Sequence, residues 1–304
     1  MTQEQIISKL NDMQSSIGQT LMMNTIMFNP QLLYYQLGIV QQELYNIISD
    51  NQKESADKNT NTEQNETNTK EPNEYELLLG AMYKKYMKLN KFDNPSKIEN
   101  SNDLIVMAID IRKSTFYLEN SLETKYFVKL LEEINKSIIC IVQKYYGLIN
   151  KFTGDGFIVF FPKFYSGENY LLLSLLCSKE IIVTTKSIFE SNEEYYHKFP
   201  VSPGIGIGMD IGKADLLKVN HEATYIGRCV VNACRICGYS INEILVNSLL
   251  KAEINKNQEI ELDQCIGRGI PYKDNPEVKV YSVTVNNVLK DEIKPKWSLT
   301  PAST

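Results

Sequence analysis

Residues 51 to 73, NQKESADKNTNTEQNETNTKEPN, form a run with almost no side chain that could be buried. Nothing in it offsets the entropy lost on ordering, so it is expected to be a disordered linker, and folding must happen on either side of it. Ahead of it, NPQLLYYQLGIVQQELYNII sets Leu33, Leu37, Val40, Leu44 and Ile47 on one helical face. That stripe predicts an amino-terminal helical extension over residues 1–50 whose apolar face needs a partner: the chain's own main domain, a second copy, or another protein. Behind it, residues 74–286 hold the other periodic apolar segments, and residues 287–304 read as a tail.

Within 74–286, Asn73 and Glu76 have the spacing of a capping box, and Leu78, Met82, Tyr86 and Leu89 continue one helical face. NDLIVMAID is almost continuously apolar, which predicts a strand buried on both faces. A long helix follows, with Phe127, Leu131, Ile134, Ile138 and Val142 in register. GLINKFTGDGFIVFF reads as two strands joined by a tight Gly-Asp-Gly turn. A second apolar helix covers roughly 168–190, GIGIGMDIGKADLL has strand-like alternation, a helix runs from about Arg228 to Cys237, and VKVYSVTV is a last strand. This order predicts an α+β sandwich with helices on one sheet face.

The formal net charge is -5. Its field repels nucleic acid and anionic membrane, so neither is an expected partner, and an anionic ligand must be held by a local cluster of cations or by metal ions. The start, MTQEQIISKL, has no secretory pattern, and no apolar run approaches a membrane span, so a cytoplasmic protein is expected. The six cysteines are scattered through apolar or helical contexts, as expected of reduced thiols. Cys234 and Cys237 form a lone C-x-x-C; with no second pair and two histidines in the chain, it does not read as a zinc site.

Two carboxylates end strands that read as buried: Asp110 in VMAIDIRKST and Asp155 in FTGDGF. Taken singly each has an ordinary explanation, a helix cap for one and turn chemistry for the other. Together they suggest a shared cation, because carboxylates are costly to bury unpaired.

With these motifs in view, residues 104–285 resemble the catalytic domain of class III nucleotidyl cyclases, the adenylate and guanylate cyclase family. DIRKST is similar to the family's first metal motif, which implies Asp110 as a ligand, Ile111 as a carbonyl ligand, and Lys113, Ser114 and Thr115 along the phosphates. KFTGD is similar to the Lys-x-x-Gly-Asp hairpin, which implies Asp155 as the second ligand and Lys151 as a reader of the base. TYIGRCVVNACR resembles the helix that carries the transition-state arginine, here Arg235, and the count places Thr224 at the second base-reading position. YKDNPEVKVYSV resembles the late loop whose lysine holds the terminal phosphates, here Lys273. The resemblance implies a class III cyclase fold of ferredoxin-like, palm-type character, two divalent cations (Mg2+ or Mn2+), a nucleoside triphosphate substrate, and a head-to-tail homodimer with its sites between subunits.

The chain departs from the common pattern at two places. Lys113-Ser114 stands where the family usually has Gly-Phe, giving a more basic phosphate loop. Counting back from Arg235 puts Val231 at the transition-state asparagine, with Asn232 one place later, so either Asn232 substitutes or the role is dropped. DIRKST, YIGRCVV, the missing asparagine and the lone cyclase domain behind a short helical extension most resemble the Pycsar pyrimidine cyclases of bacterial anti-phage defence. That resemblance implies cyclic UMP or cyclic CMP as product and a separate effector that senses it. An adenylate cyclase and a non-catalytic nucleotide-binding module are the competing readings.

Overall fold

The computed structural model describes residues 72–98, 103–152, 155–200, 203–219, 222–257, 260–272, 275–285 and 293–299, with backbone alone at 151, 152, 263, 272 and 275–277. The chain divides into two units, residues 1–70 and 71–304, and the described residues belong to the second. The expected helical stripe at residues 33–47 and nearly all of the linker lie outside the described residues.

The domain opens with α1 (Glu74–Leu79), whose amino end is capped as its sequence implies: Asn73 accepts from the Glu76 amide at 3.0 Å. The single face expected through Leu89 is interrupted. Gly80 takes φ 49 and ends α1, a 3-10 turn covers Gly80–Met82, and α2 (Tyr83–Leu89) resumes. Tyr86 then packs among Phe92, Phe164, Tyr165 and Trp297, and the Trp297 indole donates to the Tyr165 carbonyl at 2.6 Å. Part of the tail is therefore core.

The main sheet begins with β1 (Asp103–Ile111), followed by α3 (Ser114–Asn120) and the long α4 (Thr124–Lys144). The hairpin of β2 (Leu148–Phe152) and β3 (Gly156–Pro162) comes next, then the short α5 (Lys163–Ser166) and α6 (Tyr170–Asn192). The strand-like 205–219 segment is two strands, β4 (Ile205–Lys213) and β5 (Asp215–Val219), and β5 pairs with β6 (Glu222–Ile226) as a separate ribbon. The helix expected near Arg228 is α7 (Arg228–Cys237). β7 (Ile244–Asn247), α8 (Ser248–Lys256), β8 (Leu262–Tyr272) and β9 (Asn275–Val285) complete the fold. The seven-stranded order is β2-β3-β1-β4-β7-β9-β8, antiparallel except where β4 meets β7.

Strand alternation divides the core into two layers. Ile105, Met107, Ile109 and Ile111 face α4 and α6, where Leu130, Ile134, Ile138, Leu172 and Ile181 meet them. Leu104, Val106 and Ala108 face the other way, onto Cys229, Ala233 and Cys237 of α7 and Tyr225 of β6. Helices thus cover both faces of the sheet, not one as the element order suggested. The short α7, too polar by composition to announce a core helix, supplies the second layer by lying directly on β4. A Cβ at Gly208 would collide with the backbone of Ala233 and Cys237.

Candidate active site

β1 lies between β3 and β4, and its register sets Asp110 opposite Gly156 on one side and Gly206 on the other. Asp155 immediately precedes Gly156, and the Ile111 amide donates to the Asp155 carbonyl at 3.3 Å. The two carboxylates therefore belong to one corner of the molecule. Burial raises the Asp110 pKa, the Asp155 charge raises it further, and Arg112 opposes both. Two hard, oxygen-bearing acids that repel each other in a partly desolvated corner fit a divalent cation of the Mg2+ or Mn2+ kind. Among the described residues no cluster of three or more His, Cys, Asp or Glu surrounds such a position. Further ligands would be backbone carbonyls, substrate oxygens or water.

Arg112 holds this corner together. Its Nη1 lies 3.0 Å from Asp110 Oδ2, and its Nη2 donates to the Cys237 carbonyl at 2.5 Å and to Cys237 Sγ at 3.2 Å. The guanidinium fits because residue 206 is glycine; a Cβ there would strike it. Arg112 thus ties the end of β1 to the carboxyl end of α7, where a cation is favoured. The sequence did not single it out, although a basic residue two places after a candidate ligand is a visible signal.

Lys113 follows in the left-handed region, φ 61 and ψ 35, and forms the amino cap of α3. This accounts for the glycine that the resemblance leads one to expect at that place: the turn demands positive φ, and lysine adopts it at a cost of about 1 kcal/mol. Lys113 and Thr115 are exposed and Ser114 is half-buried.

On α7, Arg235 and Val231 are both exposed, one turn apart. Asn232 is turned inward, and its Nδ2 donates to Asp210 Oδ2 at 2.9 Å. Asp210 is 2% exposed and also accepts from Asn247 Nδ2 and from the Ile211 amide. The expected transition-state asparagine is therefore engaged with a buried aspartate that the sequence reading overlooked. A carboxylate in the middle of GIGIGMDIG was the signal. A cavity of about 420 Å3 lies beside this network, with Lys213, Arg228 and Lys279 among its lining.

The cleft beside Asp110 is smaller, about 270 Å3, and is lined by Ala108, Ile109, Phe157, Ile158, Cys234, Cys237 and Gly238 as well as Asp110 itself. Burial pushes the Cys237 thiol up to about 12, so it is a packing group and not a nucleophile.

At the sheet edge formed by β2, next to the strand that follows Asp155, stands Lys151, while Thr224 lies on β6 of the separate ribbon. The Thr224 hydroxyl donates to Asn150 Oδ1 at 2.6 Å, and Asn150 Nδ2 donates to the Ala223 carbonyl at 2.7 Å. Asn150 thus ties the β2 edge to the β5–β6 ribbon, a role its place inside the apolar segment GLINKF hinted at. Lys273 lies outside the described residues, as does the Lys151 side chain.

The described fold is shared with solved cyclase domains. The adenylyl cyclase CyaB from P. aeruginosa superposes with a TM-score of 0.52 at 24% identity, over 60% of this chain and 93% of that one. The guanylyl cyclase Cya2 superposes with a TM-score of 0.51 at 20% identity, over 61% of this chain and 93% of that one. No protein-family model matches the chain, and no curated protein is significantly similar to it.

Proposed function

We propose that this chain is a nucleotide cyclase that converts a pyrimidine nucleoside triphosphate, UTP or CTP, to its 3′,5′-cyclic monophosphate and pyrophosphate. The observation that carries the reading is the convergence of Asp110 and Asp155 at adjacent strand ends, on a fold shared with an adenylyl and a guanylyl cyclase. Asp110 and Asp155, with the Ile111 carbonyl, would hold two divalent cations, whose chemistry is to acidify the attacking hydroxyl and neutralise charge developing on the phosphates. Arg235, through its rigid fork of donors, stabilises the pentavalent phosphorus centre, and Lys273 holds the departing pyrophosphate as a point charge. Lys113, Ser114 and Thr115 bind along the triphosphate, while Lys151 and Thr224 read the base. Asn232, its amide already engaged by Asp210, anchors α7 rather than touching phosphate.

The lining of the Asp110 cleft contains no lysine or arginine. Arg112 is already engaged by Asp110 and the Cys237 carbonyl, so Lys113 is the neighbouring cation left to meet a triphosphate. Further positive charge supplied across a head-to-tail homodimer, with Arg235, Lys151 and Lys273 acting on the partner's acidic pair, fits this shortfall. The DIRKST and YIGRCVV stretches support the pyrimidine assignment and, with it, a role in anti-phage defence through a separate effector.

The test incubates the protein with each of the four ribonucleoside triphosphates and Mg2+ or Mn2+ and identifies the product. A cyclic pyrimidine monophosphate, lost in Asp110→Ala and Asp155→Ala, is expected. Turnover of ATP alone replaces the pyrimidine assignment with an adenylate cyclase. Tight binding without turnover replaces it with a non-catalytic module.

A further inference from the structure

We propose that Asn150 sets the polarity of base recognition, and that the base this position accepts carries an exocyclic amine, as cytosine and adenine do. The inference rests on Thr224 and Lys151 facing the base, as proposed above. Its starting point is a β-bulge. Ile149 pairs with Val159 and Lys151 with Ile158, so Asn150 is the extra residue of β2 and its side chain is released from the regular pleat toward the β5–β6 ribbon.

The direction of each hydrogen bond there is fixed by chemistry. The Ala223 carbonyl can only accept, so the amide end lying 2.7 Å from it must be the NH2 group. The other end of Asn150 is then its carbonyl oxygen, which also can only accept. The Thr224 hydroxyl, 2.6 Å away, must spend its one proton on that oxygen. What Thr224 then offers to a ligand is lone pairs alone, beside a second acceptor, Asn150 Oδ1. An amine presents N–H groups to such a corner with no oxygen next to them. The imide N–H of uracil is flanked by two carbonyls, and the ring N–H of hypoxanthine by one, which would face these acceptors without a proton between them. A site built for an N–H rejects the analogue that lacks it by tenfold or more.

The measurement is kcat/KM for CTP against UTP and for ATP against ITP, two pairs whose members differ by an amino or oxo group at one position. The wild type should prefer the amino member at least tenfold in whichever pair it turns over. Asn150→Ala frees the Thr224 proton and should bring that ratio to within about threefold of unity. Asn150→Asp still accepts from Thr224 and should keep the preference even if total activity falls. A purely structural role for Asn150 would lower both members equally and leave the ratio untouched. Preference for UTP or ITP in the wild type, or an unchanged ratio in Asn150→Ala, overturns the inference while the cyclase reading stands. No turnover of any of these four, nor of GTP, overturns the cyclase reading and this inference with it, and turnover of GTP alone overturns the inference while a cyclase reading stands.

Discussion

Arg112 and Asp110, two residues apart, form an ion pair of 3.0 Å at the end of β1, with the Arg112 side chain 15% exposed and that of Asp110 40%. The same guanidinium bonds the carboxyl end of α7 through the Cys237 carbonyl, so one side chain joins a candidate cation ligand to the helix that carries Arg235. Removing it leaves a half-buried carboxylate without its nearest cation and a helix end without its donor. Arg112→Ala should destabilise the domain by about 1 to 2 kcal/mol, less than for a fully buried pair because solvent screens the 40% exposed Asp110 carboxylate. Arg112→Lys should recover less than half of this, because a single ammonium cannot span both partners. Thermal or urea unfolding of both variants measures it.

The acidic pair should have opposite effects on stability and on metal response. The Asp155 charge pushes the Asp110 pKa up, which means the two carboxylates repel at neutral pH. Asp155→Asn should therefore unfold at the same temperature as the wild type or a few degrees higher when no divalent cation is present. Addition of Mn2+ should raise the wild-type melting temperature and leave that of Asp155→Asn nearly unmoved. Cyclase turnover should fall by three orders of magnitude or more in Asp155→Asn. A variant that melts lower without metal would show that the pair is held together by contacts other than a cation.

How much of this corner was legible in the sequence follows from what each signal depends on. Asp110, Asp155 and the α4 stripe were readable because they rest on local pattern: a carboxylate closing an apolar strand, a glycine-flanked turn, a 3.6-residue period. β7, α8 and β8 were not assigned, since β7 has only four residues and β8 interleaves charge and glycine with its apolar positions. Their pairing is decided by the partner strand, β9 for both β7 and β8. The layering was misjudged because α7 packs through Ala233 and two cysteines, small groups whose burial depends on Gly208 beneath them and not on hydrophobicity. Arg112, Asn150 and Asp210 were missed for a shared reason: each is a polar side chain whose partner lies on a different element, between 22 and 125 positions away.

Lys113 offers a way to separate backbone from charge. It holds φ 61, a region that an L side chain enters at a cost and glycine does not. Lys113→Gly should therefore raise stability by roughly 1 kcal/mol, against the usual trend for glycine substitutions. If Lys113 binds along the triphosphate, the same variant should raise KM several-fold with kcat much less affected, since the lost interaction is made equally in ground and transition states. Lys113→Ala, which keeps the strain and loses the charge, should show the KM change without the stabilisation. Melting temperatures and steady-state kinetics on the two variants test both halves.

Asp210 predicts a pH dependence with a definite sign. Burial raises its pKa, and the bonds it accepts from Asn232, the Ile211 amide and Asn247 offset only part of that rise. A carboxylate whose folded pKa lies above its unfolded value binds its proton more tightly when folded, so its contribution to stability is fully present below the unfolded value, about 4, and is lost as pH rises through the folded pKa. Asp210→Asn removes this titration and leaves the other carboxylates as they were. The melting temperature of the wild type minus that of Asp210→Asn should therefore increase as pH is lowered from 7 toward 4 and then level off. A difference that shrinks over this window would mean that the amides of Asn232 and Asn247 stabilise the charged form more than burial penalises it, and would reverse the assignment of Asp210 as a group held against its own desolvation.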